Sequence, residues 1–487
     1  MKKKLFQVFY LVLLAFLICS CGSESENGTI DGDLDIESEQ DLEQVENNEN
    51  AQVEISNFSV VENTANSLSF FAEWSTDIDS ATRLDVICGT DYQESFTSDS
   101  ASKSHQVFVM GLIPETQCQF TAIAKDNAGL TKTSVKTVNV TLPDFFPAIN
   151  LVKVDLNKMQ RGWTLVNLVN SHDNKPMSVA MIDEQGRYRW YHRVETTSTG
   201  ADNDVRTVEN GVLIGGTDGA IHPQIISWEG KQLWKIQLDM HHDFRPINNG
   251  AQYFYLSSVD ICESPKWDNA DNLSDSVHIW DVEQNKPVWQ WVLCEHYTPK
   301  EIVIDWSHLN SVEAFPNENA ILISSREQHA LFKVNMDNEE IVWKLGLDGD
   351  FQMKDEDLFY RQHATEIQQN GNILLFDNGD DRQPNVREYS RAIEIAYDET
   401  NMTAEVVWEY RHNPDIFAPV WSDADKMANG NVLVTFGKEY ETTSLVEVTA
   451  EDTAEVVWEA QPANGWGVYR SERVIDPIKG YIVKIDN

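Results

Sequence analysis

Histidines recur at one repeated position along this chain. Turns of the Asn-Gly type, each followed by an apolar stretch, end at Gly211, Gly250, Gly371 and Gly430. The residues eight places before these glycines are Asn203, His242, His363 and Ser422, and His308 holds the matching place before a longer turn. Residues at one position of a structural repeat lie on a ring around the repeat axis. We therefore expect His242, His308 and His363 to meet. The same count selects His242 over its neighbour His241.

An arginine completes the candidate site. Arg326 ends the strand that follows His308, where its side chain would emerge at the same end of a sheet. Histidine can act as nucleophile, proton carrier or metal ligand near neutral pH, and arginine is a permanent planar cation with five donors. Such a set suits a tetrahedral anion: one histidine attacks in line while the other groups neutralise the developing charge.

A three-histidine zinc site is the first alternative. The positive charge of Arg326 disfavours it, because a guanidinium repels a metal ion in the same pocket. The sequence also has no CxxC or Cys/His spacing typical of zinc sites. We assign no metal ligands.

A tryptophan-containing hairpin pattern predicts the fold that positions these residues. Each of six copies is a polar turn followed by tryptophan, at Trp190, Trp234, Trp289, Trp343, Trp408 and Trp458. The intervals run from 44 residues (Trp190 to Trp234) to 65 (Trp343 to Trp408), which suits a four-stranded blade with insertions. The pattern predicts a six-bladed β-propeller over residues 147–487, with each tryptophan between neighbouring blades.

Residues 52–143 predict a separate small β-sandwich, so the fold class is all-β. Short alternating stretches such as Ser67–Trp74, Arg83–Cys88 and Gln117–Ala124 are separated by turn-forming clusters. The run Leu112–Thr116 and the later Asp126–Gly129 resemble the end of a fibronectin type III domain, with Cys118 in place of the usual tyrosine. That resemblance implies a spacer or docking module.

The N-terminus predicts export. A basic start, Lys2–Lys4, precedes the apolar stretch Leu5–Ile18 and the sequence Cys19-Ser20-Cys21-Gly22. This arrangement resembles a bacterial lipobox, which makes residues 1–20 a signal peptide and Cys21 the lipid-modified first residue of a membrane-anchored, periplasmic or cell-surface lipoprotein. Residues 21–51 are acidic and lack aromatic residues, as expected of a disordered tether.

Charge and cysteine content narrow the partners and the compartment. The formal net charge of -42 argues against nucleic acid and anionic membrane surfaces, since both repel an acidic protein. In an oxidising compartment two disulfides within domains are expected from the four cysteines that follow Cys21. The candidates are Cys88 with Cys118 and Cys262 with Cys294.

Ordered sequence blocks from residue 147 onward resemble the bacterial arylsulfotransferase family. They are Met240–Phe244, Asp305–Ser311, Ile323–His329, Val342–Gly346, Arg361–Ala364, Leu375–Gly379, Ser390–Ala392, Val407–Tyr410 and segments within Ser422–Gly437. The resemblance implies transfer of a sulfuryl group from an aryl sulfate donor to a phenolic acceptor through a sulfated histidine. It implies no nucleotide sulfate donor, and hence no cofactor.

The resemblance also implies a role for each site residue. His363 would be the nucleophile, and His308 and Arg326 would bind sulfuryl oxygens. His242 would serve the leaving or attacking phenol oxygen as acid and base. Asn310 and Ser422 would help to bind the substrate.

Two features depart from relatives in the family. The cysteine pair that some periplasmic members carry before the nucleophile is absent between Gly346 and His363. The N-terminal module differs from the β-sandwich that helps the best-known members to pair, so a homodimer is left open. The alternative functions are a non-catalytic ligand-binding propeller, a sulfatase and a metal-dependent hydrolase. Each would use the same site in the central funnel of the predicted propeller.

Overall fold

The computed structural model describes residues 46–170, 177–194, 204–216, 220–261, 273–299, 305–382, 388–438, 442–451 and 453–483. Nearly all regular structure in these ranges is β-strand, so the all-β prediction is confirmed. The described helices are single turns at Leu293–His296, Asn248–Gly250 and Asp355–Asp357, and none is long and apolar enough to cross a membrane. Cys21, Cys262, the predicted signal peptide and most of the predicted tether lie outside these ranges.

The first five strands form the N-terminal module. They are β1 (Ile55–Glu62), β2 (Ser69–Cys88), β3 (Tyr92–Met110), β4 (Gln117–Lys125) and β5 (Thr131–Asn139). β2 and β3 pair along their length, while β1 pairs with the first half of β2 and β4 with its second half. The stretches Ser67–Trp74 and Arg83–Cys88, predicted as two strands, thus lie in one. A register shift between Ser75 and Ser80 interrupts the alternation that a single long strand would show.

Ordered structure begins before the predicted boundary at residue 52. The Asn48 N–H donates to the Thr131 carbonyl oxygen at 2.8 Å, and Ala51 is buried. The end of the predicted acidic tether therefore lies against β5. The likeness of this module to a fibronectin type III domain stays a prediction.

The remaining strands follow in chain order. They are β6 (Ile149–Val154), β7 (Trp163–Leu168), β8 (Ser178–Ile182), β9 (Tyr188–Arg193), β10 (Val205–Val208), β11 (Gly211–Ile214), β12 (Gln224–Ser227), β13 (Gln232–Lys235), β14 (His241–Ile247), β15 (Gln252–Ile261), β16 (Leu273–Asp281) and β17 (Lys286–Val292). They continue with β18 (Leu309–Ala314), β19 (Ala320–Ser325), β20 (Ala330–Asn335), β21 (Ile341–Gly346), β22 (His363–Ile367), β23 (Ile373–Asp377), β24 (Arg391–Asp398) and β25 (Thr403–Tyr410). The last are β26 (Asp423–Lys426), β27 (Val432–Phe436), β28 (Ser444–Val448), β29 (Val456–Pro462), β30 (Ser471–Val474) and β31 (Gly480–Ile482).

These strands build six antiparallel sheets, which we number 1 to 6. Sheet 1 is β30-β7-β8-β9, and sheets 2 to 5 are β10–β13, β14–β17, β18–β21 and β22–β25. Sheet 6 is β26–β29, extended by β6. The number of sheets equals the number of tryptophan repeats. Strand β30 starts sheet 1 from the far end of the chain, so the beginning and the end of this region share one sheet.

Each repeated tryptophan lies in the fourth strand of its sheet, and several contact the following sheet. The indole N–H groups of Trp190, Trp343 and Trp458 donate to Trp228 O, Glu399 Oε1 and Glu184 O. In sheet 3 this contact is made by Trp291, which donates to Glu339 O, and not by the predicted Trp289. Both tryptophans lie on the same face of β17, because side chains two apart share a face, but Trp291 is buried in the core and Trp289 is half-buried at its edge.

Polar contacts also join the first strands of successive sheets. The joined pairs are Arg206 with Asp243, Asp243 with Val312, Ser311 with Thr365, Glu366 with Asp425, Thr435 (on β27) with Ser471, and Glu472 with Thr207. In this order the contacts connect each sheet to the next from sheet 2 to sheet 6, then sheet 6 to sheet 1 and sheet 1 to sheet 2. We interpret the six sheets as blades around one axis, and a closed propeller stays a prediction.

The first strands of sheets 3, 4 and 5 begin with a β-bulge. The pairing register shifts between His241 and Phe244, between Leu309 and Ser311, and between His363 and Glu366. The first strands of sheets 1, 2 and 6 pair without a shift. A bulge adds an unpaired residue and re-aims the side chains beside it. The three bulged strands are those that carry or follow the predicted histidines.

The N-terminal module contacts sheets 1 and 2 directly. Asn63 Nδ2 donates to the Glu229 carbonyl oxygen at 3.0 Å, and Arg189 Nε donates to the Gly111 carbonyl oxygen at 2.7 Å. Strand β31 pairs with β3, so the end of the described chain belongs to the N-terminal sheet and not to the six-sheet region.

The disulfide prediction is confirmed for Cys88 and Cys118, which are opposite each other on β2 and β4. Cys294 is also disulfide-bonded. Its predicted partner Cys262 lies outside the described ranges, so that pairing stays a prediction.

Candidate active site

Three histidines from sheets 3, 4 and 5 share one space. The ring centroids of His242 and His308 are 4.9 Å apart, and those of His242 and His363 are 6.2 Å apart. One ring nitrogen of each histidine lies within 4.8 Å of those of the other two. His242 and His363 are buried and His308 is half-buried. The structure thus brings together the three histidines that the repeat count predicts to meet.

His363 has a defined tautomer. Its Nδ1 lies 2.8 Å from Asn378 Oδ1 and 3.2 Å from the Arg361 carbonyl oxygen, and both are acceptors. The Asn378 amide cannot be reversed, because its Nδ2 donates to the carbonyl oxygens of Ala418 and Trp421. Nδ1 of His363 therefore carries the hydrogen, and Nε2 keeps its lone pair.

The surroundings keep His363 uncharged. Burial is the largest cause that lowers its pKa well below the usual range, and the positive charge of Arg326 is the second. The hydrogen bond with Asn378 acts in the opposite sense. A neutral imidazole with a free Nε2 lone pair is a nucleophile at pH 7.

His308 is held between a carboxylate and the neighbouring strand. Its Nδ1 hydrogen-bonds to the Asp305 carboxylate, and its carbonyl oxygen accepts from the Arg326 N–H at 2.9 Å. Its φ of +34° is unusual for a residue with a side chain. The Nε2 atom is thus the ring nitrogen that His308 leaves for a ligand.

His242 is the inner end of a chain of polar contacts. Its Nδ1 lies 2.8 Å from Nδ1 of His241, whose Nε2 lies 3.3 Å from Asp275 Oδ1. Burial and then the charge of His308 lower the pKa of His242 well below its usual range, and His241, His363 and Arg470 act in the same sense. The doubly protonated, cationic form of His242 is therefore disfavoured.

Arg326 belongs to a network of two arginines and three carboxylates, in which Arg361 also pairs with Asp381 at 2.6 Å. It forms an ion pair with Glu327, and its Nη2 lies 3.6 Å from Asp380 Oδ2 and 3.4 Å from the Pro419 carbonyl oxygen. Arg361 Nη1 lies 3.1 Å from Glu327 Oε1 and 3.5 Å from Asp380 Oδ2. A guanidinium has five N–H donors, so these contacts leave Arg326 donors for a bound anion.

A second buried arginine lies among the first strands. Arg470 Nη1 lies 2.9 Å from Asp243 Oδ1 and 3.2 Å from Asp204 Oδ1, and Nη2 donates to the Asn310 carbonyl oxygen at 3.0 Å. Its charge contributes to the lowered pKa of both His242 and His363. The arginine therefore favours the neutral form of both imidazoles.

Asn310 and Ser422 are buried and engaged in contacts within the protein. Asn310 Nδ2 donates to the Gln362 carbonyl oxygen at 2.7 Å, so it fixes the peptide that precedes His363. Ser422 Oγ accepts from the Gly437 N–H at 3.0 Å and lies 3.3 Å from the Val420 carbonyl oxygen. These contacts give both residues a structural role, and substrate binding by them stays a prediction.

The three histidines are also the described group that could best hold a metal ion. Zinc bound by imidazole nitrogens at about 2.0–2.1 Å would need these nitrogens roughly 3.4 Å apart in tetrahedral geometry. Arg326 adds a positive charge beside His363. The charge set favours an anion over a cation here.

Sequence reasoning missed the residues that support the histidines. They are Asp305, Asn378, Asp275, His241, Glu327, Asp380 and Arg470. Proximity to a predicted site residue could have pointed to Asp305, His241 and Glu327. The others lie far away in sequence, and only the fold brings them close.

Fold and site together define an all-β protein in which three histidines lie together beside an arginine. The profile of the arylsulfotransferase (ASST) family matches residues 148–470. This match covers more than half of the chain, so the chain belongs to the arylsulfotransferase family.

Two curated proteins with the name arylsulfate sulfotransferase AssT are similar to this chain. The one from Escherichia coli O6:H1 is 28% identical over 348 residues, covering 53% of this chain and 57% of that protein. The one from Lelliottia amnigena is 28% identical over 151 residues, covering 24% of this chain and 25% of that protein. The chain thus spans little more than half the length of the first relative.

Solved structures similar to the chain include a β-propeller domain. The Cps50 (Swd1) β-propeller domain of Myceliophteria thermophila is 10% identical, covers 64% of this chain and 89% of its own, and has a TM-score of 0.35. Sqt1 of Saccharomyces cerevisiae is 10% identical, covers 77% of this chain and 94% of its own, and has a TM-score of 0.34. Similarity at this level does not define the architecture.

Proposed function

We propose that this protein transfers a sulfuryl group from an aryl sulfate to a phenolic acceptor through a sulfated histidine. The observation that carries the proposal is the state of His363, a buried neutral imidazole whose Nδ1 donates to Asn378 Oδ1 and whose Nε2 lone pair is free. The other two histidines and Arg326 supply the positive charge and the donors that an oxyanion needs.

In the first half of the reaction, His363 Nε2 attacks the sulfur of the donor. The N–S bond forms as the bond between sulfur and the phenol oxygen breaks. His308, when protonated, donates from Nε2 to a sulfuryl oxygen, and Asp305 balances its charge. Arg326 neutralises a second oxygen. His242 gives a proton to the departing phenol oxygen, because phenolate leaves more easily once protonated.

The second half reverses these steps with a new phenol. His242 accepts the proton of the acceptor hydroxyl while its oxygen attacks the sulfur on His363. The N–S bond breaks and the neutral imidazole returns. A covalent intermediate divides one transfer into two, so the kinetics are ping-pong.

A donor–acceptor assay on purified protein tests the proposal. A chromogenic aryl sulfate is supplied with and without added phenol, and a donor-only reaction is quenched for mass analysis of the peptide that contains His363. We expect release that phenol stimulates and a sulfuryl adduct on that peptide. Folded protein that releases no phenol from a broad donor panel would contradict the proposal and favour a binding function.

We also propose an exported lipoprotein anchored through Cys21, on the basis of the N-terminal sequence alone. Metabolic labelling with a fatty acid and a Cys21→Ala variant would test it. Label on the wild type and none on the variant is expected. Equal labelling of both would exclude this cysteine as the anchor.

A further inference from the structure

The Nδ1 atom of His242 contacts a second histidine, His241, and not a carboxylate. The Nδ1 atoms of His241 and His242 are 2.8 Å apart, and the two rings are nearly perpendicular at 89°. The side chain of Asp275, on β16 of the same sheet, has its Oδ1 atom 3.3 Å from His241 Nε2. All three residues are buried, with exposed fractions of 7%, 7% and 3%.

The contact between the two Nδ1 atoms restricts where protons can be. A hydrogen bond needs one donor, so one of these nitrogens carries a hydrogen and the other a lone pair. If His242 Nδ1 carries it, a neutral His242 has a free lone pair on Nε2. If His241 Nδ1 carries it, His242 Nε2 must carry the hydrogen of the neutral ring. One shift of a proton between the rings therefore exchanges the base and acid forms of His242 at the site.

Asp275 stabilises the protonated state of the His241–His242 pair, although the pair is buried. Burial alone would raise the pKa of Asp275, but the nearby charge of His241 and the hydrogen bond from the Leu309 N–H lower it. The carboxylate thus stays ionised beside His241. A cation on His241 is stabilised by this pair, whereas a cation on His242 faces His308, His363 and Arg470.

We propose that Asp275 and His241 are positioning residues that hold the catalytic proton of His242 as an Asp275–His241 ion pair whenever the enzyme carries no sulfuryl group. This proposal rests on the sulfuryl transfer proposed above and extends it beyond the residues that touch substrate. It assigns His241, which the repeat count sets aside, a role in the reaction.

The proton balance closes without any other reactant. Before the donor reacts, His241 is cationic and donates from Nδ1 to His242 Nδ1, while His242 carries its hydrogen on Nε2. As the bond from sulfur to the phenol oxygen breaks, His242 Nε2 gives that hydrogen to the oxygen, and the hydrogen on His241 Nδ1 moves to His242 Nδ1. The pair of rings ends neutral and the phenol leaves neutral. The acceptor phenol returns one proton by the reverse route as its oxygen bonds to sulfur.

Asp275 also has a structural contact that the test must separate from this role. Its Oδ2 accepts from the Leu309 N–H at 2.6 Å, and its own N–H donates to Ser307 Oγ at 3.0 Å. These bonds hold the backbone on both sides of His308. Loss of that support would slow the reaction with every donor, whereas loss of the proton store would slow only donors whose phenolate needs protonation.

The dependence of the rate on the leaving group makes this separation. The variants Asp275→Asn and His241→Gln are compared with the wild type for phenol release in donor-only single turnovers. The donors run from 4-nitrophenyl sulfate, a good leaving group, to phenyl sulfate, whose phenol has a pKa of about 10 as in a tyrosine side chain. The matched controls are Asp281→Asn and His278→Gln, which lie on β16 with Asp275. Thermal unfolding is measured for all variants.

We expect both variants to lose about 10²-fold with phenyl sulfate and less than about threefold with 4-nitrophenyl sulfate, as general acid catalysis predicts. The controls should lose little with either donor. An equal loss with both donors, or no loss in a folded variant, would overturn the proposal, and either variant decides alone if the other does not fold. A wild type that releases no phenol from any donor would instead contradict the proposed function.

Discussion

The first strands of sheets 3, 4 and 5 and those of sheets 6, 1 and 2 occupy the same topological position but differ in their backbone. The former begin with a bulge and contribute His242, His308 and His363. The latter are regular, and around them charged side chains such as Asp204, Arg206 and Asp423 line a cavity of about 350 Å³. The half formed by sheets 3 to 5 thus holds the imidazoles, and a cluster of buried charges lies toward the half formed by sheets 6, 1 and 2.

The charged half has its own electrostatics. Burial is the main cause that raises the pKa of Asp423 to about 7, with Arg470 opposing and Glu366 supporting the shift. Arg470 pairs with Asp204 and Asp243 and also reaches the backbone of Asn310. The repeat thus determines where a side chain lies in its sheet, but not what that side chain does. Ser422, which holds the matching position before the regular strand β26, makes structural hydrogen bonds instead.

The largest effect is expected for the nucleophile on a bulged strand. His363→Ala should lower turnover by more than about 10³-fold, since the proposed covalent intermediate forms on its Nε2 atom. The measurement is kcat with an aryl sulfate and excess phenol, together with thermal unfolding. The matched control is His412→Ala, which removes a histidine that contacts Glu459 between sheets 5 and 6. Full turnover in a folded His363→Ala protein would place the chemistry elsewhere in the ring.

The next effect concerns the amide that sets the tautomer of His363. Asn378→Ala should lower kcat by about 10–100-fold with little change in KM, the size typical of a residue that orients a functional histidine. The control in the regular half is Asn431→Ala, because this buried amide donates to Lys158 O and Glu447 Oε1. Both variants should lose stability, but only the first should lose kcat. Similar kcat losses in both would mean that Asn378 acts through the fold.

The pH dependence of the first half-reaction reports the charge around His363. Burial and the charges of Arg326, His308 and Arg470 lower its pKa, so the neutral, reactive form persists as the pH falls below 6.5. A histidine with the ordinary pKa would lose about fourfold in reactive form at pH 6.0, and we expect less than about twofold. The check is the single-turnover rate of phenol release from 4-nitrophenyl sulfate between pH 7.5 and 5.5. A fall that follows a pKa of 6.5 or higher would contradict the electrostatic account.

The smallest effect concerns two alanines that take part in the same comparison. Ala364 lies in the bulge after His363 with a φ of +51°, whereas Ala424 lies in the regular strand β26. Glycine relieves about 1–2 kcal/mol of left-handed strain at Ala364, which roughly offsets its own entropy cost and the lost methyl burial. Ala364→Gly should leave the free energy of unfolding nearly unchanged, and Ala424→Gly should lower it by about 1–2 kcal/mol.

Chemical denaturation of the two glycine variants is the measurement. The difference between them is the quantity that isolates the bulge, because both residues are small and buried. Equal destabilisation would mean that the backbone at Ala364 is not strained.

Several features could be predicted from the sequence because local patterns encode them. The six tryptophan repeats mark the fourth strands of six sheets, since each hairpin carries its own turn and its own apolar face. The exception, Trp291 in place of Trp289, arises where two tryptophans two residues apart point to the same face of one strand. Counting from the Asn-Gly turns also identified the histidines that meet, because a fixed distance from a turn means a fixed height in the sheet.

The sequence by itself determined which residue types are available: six repeats, three histidines at one repeated position, an arginine one strand later and a cysteine pair on facing strands. The tertiary structure alone decided how those groups behave. The tautomer of His363, the carboxylate beside His241 and part of the charge around Arg326 come from Asn378, Asp275 and Asp380. Hydrogen bonding and burial act through space over a few ångströms, and these partners become neighbours only when the sheets assemble.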